Sequence, residues 1–130
     1  MGYVRYNANP YQNRTIDCVI RAISVLTGES WDDIFIDLSV QAFFMKDVMS
    51  ANRVWESYLE QRGYEEHILP YTCPDCYTVI DFCEDFPEGR YMLATGSHVI
   101  AVIDGDYYDT WDSGDEPILY SWEKRRVRDA

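Results

Sequence analysis

Two segments hold side chains able to do acid–base and nucleophilic chemistry together. Cys18 opens DCVIRAISVLTG, and His98 heads GSHVIAVIDGDYYDTWD, residues 96 to 112. A thiol in the first turn of a helix meets unpaired backbone N–H groups and the positive end of the dipole, which favour the thiolate. Asp17 beside it works the other way, since a neighbouring negative charge raises a thiol pKa. A capping role, with the Asp17 carboxylate turned to the helix amides, would soften that conflict. The chain has only two histidines, so a Cys–His mechanism uses His67 or His98. His67 lies in YEEHIL, which reads as an exposed strand edge; His98 follows Gly96-Ser97, which leave room for a substrate backbone, and precedes the most apolar strand of the chain.

A carboxylate to orient His98 comes from the hairpin that Asp104-Gly105 predicts. A strict two-residue turn pairs 103 with 106, places 111 opposite 98, and leaves Asp109 diagonal on the same face. One more residue in the turn puts Asp112 directly opposite. Either aspartate could hold the imidazole in the tautomer of a general base and stabilise the imidazolium. Trp111, between them, could shield that hydrogen bond from water.

The elements that must position these groups follow from the pattern. The segment from Asp17 to the Gly28 stop reads as a helix apolar nearly all round, with Arg21 and Ser24 its only polar stripe, and hence as mostly buried. A second helix begins at Ser30, with Trp31, Ile34, Phe35 and Leu38 at helical spacing, and a third covers about 51–62. Then come a strand at 64–69, a short helix at 78–86 capped by Thr78, a strand at 90–95, the hairpin, and a last strand near 117–122. The opening, rich in Asn and Pro, reads as irregular. Helices first and antiparallel strands after predict an α+β domain spanning 1–130. The unalternating run Val99 to Ile103 predicts a strand covered on both faces.

DCVIRAI at a buried helix start, followed some eighty residues later by GSHVIAVIDGDYYDTWDSG, resembles the papain-like cysteine peptidase superfamily. There a helical half carries the nucleophile and a β half carries His and then Asn or Asp. More narrowly, DCVIRAIS, the Gly-Arg-Tyr strand and YDTWDSG are similar to small papain-like proteins of bacteria and their phages. The resemblance implies Cys18 as nucleophile, His98 as general base and Asp112 as the orienting carboxylate, with Asp109 in reserve. It also implies an oxyanion donor six positions before the cysteine, which in YQNRTIDC is Gln12, with Asn13 its neighbour. The implied activity is peptide or amide hydrolysis, or acyl transfer, through a thioester and without a cofactor. The alternative is a noncatalytic acidic protein that keeps the fold and binds a host protein or a small ligand.

Composition sets the bounds. The chain is 47% hydrophobic with a formal charge of −12, which predicts a folded core and argues against a nucleic-acid surface. Lys124, Arg125, Arg126 and Arg128 read as a solvated basic tail. Neither a secretory signal nor a membrane span is evident, which predicts a cytoplasmic protein, in the host cell if phage-encoded, with its four thiols reduced. His67, Cys73, Cys76 and Cys83 form a competing H-x5-C-x2-C-x6-C set. Its spacing fits zinc poorly, and Cys83 reads as the apolar face of a short helix, so no metal is expected. Tyr107, Tyr108, Trp111, Tyr120 and Trp122 read as sheet packing rather than a ligand groove.

Overall fold

The computed structural model describes residues 2–125. The chain runs β1 (Gly2–Arg5), α1 (Cys18–Thr27), α2 (Trp31–Met45), α3 (Asn52–Gln61), β2 (Tyr64–Ile68), α4 (Val79–Asp85), β3 (Arg90–Ala94), β4 (Val99–Ile103), β5 (Asp106–Asp109) and β6 (Tyr120–Lys124). The strands form one six-stranded sheet in the order β1-β5-β4-β3-β6-β2. The architecture is α+β, as the order of patterns predicts. No helix among the described residues is long and apolar enough to cross a membrane. Arg126 and Arg128 of the basic tail lie outside the described residues.

The period-two alternation of β3 and β4 divides the core between two faces. Met92, Ala94, Val99 and Ala101 point into a cluster with Ile23 and Leu26 of α1, Ile34 and Leu38 of α2, and Trp55 and Leu59 of α3. Leu93, Ile100 and Val102 point into the other, with Val79, Phe82 and Cys83 of α4. With helices on both faces of the sheet, β4 needs apolar residues throughout, which explains the uninterrupted VIAVI. Ile23 is fully buried at the centre of the first cluster, so truncation to Ala would cost about 3 kcal/mol.

Local signals set most boundaries. α1 ends on Gly28, whose φ of 73° is the left-handed conformation that glycine adopts freely. The Ser30 side chain accepts from the Asp33 N–H to start α2, and Thr78 with Asp81 forms a reciprocal capping box for α4. Asp104 and Gly105 have φ of 49° and 79°, as a two-residue hairpin turn of the primed kind requires. The Asp104 side chain accepts from the Gly89 N–H at 2.9 Å, which fixes the turn.

Two expectations are corrected. The opening is not wholly irregular: Gly2–Arg5 is a strand, parallel to β5, with Arg5 paired to Asp109. Four residues are too few to show a period, and the strand exists because β5 offers a free edge. The last strand begins at Tyr120 rather than near Pro117, which makes only an isolated bridge to Thr78.

Candidate active site

Cys18 is the first residue of α1, half-buried, with Asp17 at the N-cap position. The expected capping bond is absent: the Asp17 side chain makes no hydrogen bond to the helix amides. Stronger donors hold it instead. Arg21 Nε donates to Oδ1 at 2.8 Å, while Trp31 Nε1 at 3.0 Å and Asn9 Nδ2 at 3.4 Å donate to Oδ2. The ion pair with Arg21 offsets the negative charge beside the thiol. Burial pushes the Cys18 thiol up, but hydrogen bonds from the His98 imidazole and the Val99 N–H, with the positive charges of His98 and Arg21, bring it below the usual value.

His98 sits where a tight connection joins β3 to β4. The Thr95 N–H donates to the His98 carbonyl at 2.8 Å, and the Thr95 Oγ1 accepts from the His98 N–H at 3.0 Å. Gly96 and Ser97 form the exposed tip. His98 Nε2 lies 2.6 Å from Asp109 Oδ2. Burial pushes the imidazole down, but the hydrogen bonds and charges of Asp109 and Cys18 raise it to about 9. Because Nε2 is engaged by Asp109, Nδ1 is the nitrogen left to exchange a proton with the thiol.

The carboxylate on His98 is Asp109 and not Asp112. Ile103 pairs with Asp106 and Val102 with Tyr107, so the turn holds two residues and the register places Asp109 on the diagonal. Asp112 lies beyond the strand and accepts instead from Tyr107 Oη at 2.5 Å and the Gly114 N–H at 3.0 Å. Asp109 is 3% exposed, and further donors surround both its carboxylate and its carbonyl. Ser113 Oγ at 2.8 Å, the Thr110 N–H at 2.8 Å and Arg21 Nη1 at 3.2 Å hold the side chain. The Tyr6 N–H at 3.0 Å and Tyr3 Oη at 3.2 Å hold the carbonyl. Burial raises the Asp109 pKa, but His98, Ser113 and Thr110 hold it below the usual carboxylate range. Trp111 packs its ring against His98 with centroids 5.5 Å apart.

Sequence reasoning missed Arg21, which bridges Asp17 and Asp109 and thereby ties the start of α1 to the end of β5. The available signal was its place as a lone cation on an otherwise apolar helix, four residues after Asp17. Such a residue requires a buried acidic partner.

Gln12 lines the same groove as Cys18 and His98, but both its amide hydrogens are engaged, by the Asn7 carbonyl at 3.0 Å and the Asn9 carbonyl at 2.9 Å. It braces its loop in a left-handed conformation, with φ of 57°. The oxyanion role expected of Gln12 is therefore corrected: the side chain has no N–H left to offer, whereas the Asn13 side-chain amide in the same groove makes no hydrogen bond among the described residues.

The competing set does not assemble. Cys73 and Cys76 are joined by a disulfide, against the expectation of four free thiols, and only Cys18 and Cys83 are free. Burial, with Asp106 and Glu84, pushes the Cys83 thiol up to about 11. His67 lies on β2 at the sheet edge, 3.2 Å from Glu123. Among the described residues no group of three or more His, Cys, Asp or Glu side chains is arranged to hold a metal. The chain matches no protein-family model, curated protein or solved structure, so its functional reading rests on this geometry.

Proposed function

We propose that the protein is a cysteine-dependent peptide or amide hydrolase of papain-like arrangement, or an acyl transferase of the same chemistry, acting through Cys18, His98 and Asp109. One observation carries this reading: an imidazole held at Nε2 by a buried carboxylate 2.6 Å away shares a groove with a thiol at the start of a helix and lowers that thiol's pKa. His98 takes the Cys18 proton, and the thiolate attacks the substrate carbonyl to give a tetrahedral oxyanion. The Cys18 backbone N–H, unpaired at the start of α1, stabilises that oxyanion, with Asn13 the side chain placed to help. The imidazolium then protonates the leaving amine, and the thioester passes its acyl group to water or to a second amine.

The test combines alkylation with acylation. Cys18 alone should alkylate rapidly with iodoacetamide below the ordinary thiol pKa, and His98→Ala should abolish that reactivity. Intact-mass analysis after p-nitrophenyl acetate should find one acetyl group on Cys18. A Cys18 that behaves as an ordinary thiol with or without His98, and takes no acetyl group, would sink the proposal. Slow thiols throughout would favour an acidic binding protein, for which the exposed Ile36, Val40, Phe43 and Phe44 of α2 offer an apolar surface.

A further inference from the structure

Cys18 and His98 line two cavities that differ in size and in charge. One is a slot of about 150 Å³ whose walls include Leu38, Met49, Trp55 and Tyr120, a volume that suits one small apolar group. The other is an open groove of about 1050 Å³ bordered by Arg5, Arg14 and Arg21. The groove departs from the rest of the chain in charge. The sequence holds 23 acidic against 11 basic residues, yet the groove wall carries three arginines and one acid, Asp17.

Asp17 and the buried Asp109 are both paired to Arg21, and Asp109 also to His98. Arg5 and Arg14 are exposed and have no salt-bridge partner among the described residues. Two guanidinium groups thus face the groove uncompensated on a protein of net charge −12. An acidic surface repels anions in general, so such a groove selects a site for them. Guanidinium forks match the geometry of carboxylates and phosphates. β1, the strand that the sequence pattern hides, brings Arg5 beside Asp109 at the end of β5.

Resting on the thiol chemistry proposed above, we propose that the ligand of this site is bipartite: a small apolar group in the slot and an oxyanion group in the groove, on the two sides of the carbonyl that Cys18 attacks. Carboxylate and phosphate share this chemistry.

Paired probes at Cys18 test it. Iodoacetate carries a carboxylate and iodoacetamide does not, and both report on the same sulfur. The ratio of their rates in wild type should fall about tenfold in Arg5→Gln/Arg14→Gln, and added salt at about 0.5 M should lower the wild-type ratio toward that of the variant. Lys124→Gln/Arg125→Gln removes the same charge from the end of β6 and should leave the ratio unchanged. Comparing ratios cancels the attraction of the His98 imidazolium itself. Protection of Cys18 against iodoacetamide then names the oxyanion, with N-acetyl-leucyl-glutamate amide set against the glutamine and phosphoserine analogues. Stronger protection by glutamate identifies a carboxylate and by phosphoserine a phosphate. Equal ratios in wild type and the groove variant, or equal protection by all three peptides, would overturn the inference. A Cys18 inert to both reagents would instead count against the thiol chemistry.

Discussion

Replacing Asp109 by Asn, with Asp112→Asn as its counterpart, separates the two carboxylates by consequence. Asp109→Asn keeps the shape of the side chain but loses the charge that His98 Nε2 meets at 2.6 Å. The imidazole is held at about 9 against an ordinary 6.5, and at roughly 1.4 kcal/mol per pH unit the difference corresponds to roughly 3 to 4 kcal/mol favouring imidazolium. Without the Asp109 carboxylate, burial, the largest opposing influence, remains. Cys18 still raises the imidazole while burial lowers it, so His98 should titrate well below about 9, as read by NMR of its ring nitrogens. The imidazolium would no longer support the thiolate, and Cys18 alkylation at pH 7 should slow by at least about tenfold. Asp112→Asn weakens only the contacts with Tyr107 Oη and the Gly114 N–H. It should cost about 1 kcal/mol of stability and leave alkylation within about twofold of wild type. Stability against pH provides a second reading, made in a Cys18→Ala background because the lowered thiol has the opposite dependence. A histidine raised in the folded state contributes stability in full below about 6.5 and loses it as the pH rises through the folded value. That decline should be present with the Asp109 carboxylate in place and absent in Asp109→Asn. Fast alkylation in a folded Asp109→Asn protein, or its loss in Asp112→Asn, would refute the assignment.

Peptide mapping after brief alkylation at pH 7 should find Cys18 modified and Cys83 untouched, since Cys83 is 2% exposed and its thiol is held up at about 11; modification of Cys83 first would contradict the packing of α4. Arg21→Met should lower the stability measured by urea denaturation by about 3 kcal/mol, because it leaves the buried Asp17 without a cation and Asp109 with His98 alone; an unchanged midpoint would exclude the bridge. Trp111→Ala should slow alkylation severalfold with little change in melting temperature, because the ring covers His98 yet is 45% exposed. An effect on melting alone would make Trp111 a packing residue.

Several helix boundaries were legible because they have a local chemical marker: Gly28 after α1, Ser30 before α2, Thr78 with Asp81 before α4. The hairpin at Asp104-Gly105 was legible for the same reason. The third member of the site was not. Asp109 and Asp112 differ in whether one residue is added to a turn, and the choice follows from the Ile103–Asp106 pairing, which only the assembled sheet determines. β1 was hidden because its four residues become a strand by adding to the β5 edge. The side-chain cap expected of Asp17 was lost to competition: Trp31 and Arg21, one from the next helix and one a turn along its own, are better placed donors than the backbone.

Arg21 reconciles two features that conflict when read separately. An aspartate adjoining the nucleophile disfavours the thiolate, and a carboxylate as buried as Asp109 would ordinarily take up a proton. One guanidinium touches both, since Nε neutralises Asp17 and Nη1 pairs with Asp109, whose ionised state His98, Ser113 and the Thr110 N–H hold. The two oxygens divide these duties: Oδ1 faces Arg21 and the Thr110 N–H, while Oδ2 faces His98 and the Ser113 hydroxyl. That division leaves the His98 contact the shorter of the two ionic ones, 2.6 Å against 3.2 Å. The carboxylate that raises His98 is thereby also anchored by Arg21 to α1, the helix that Cys18 opens.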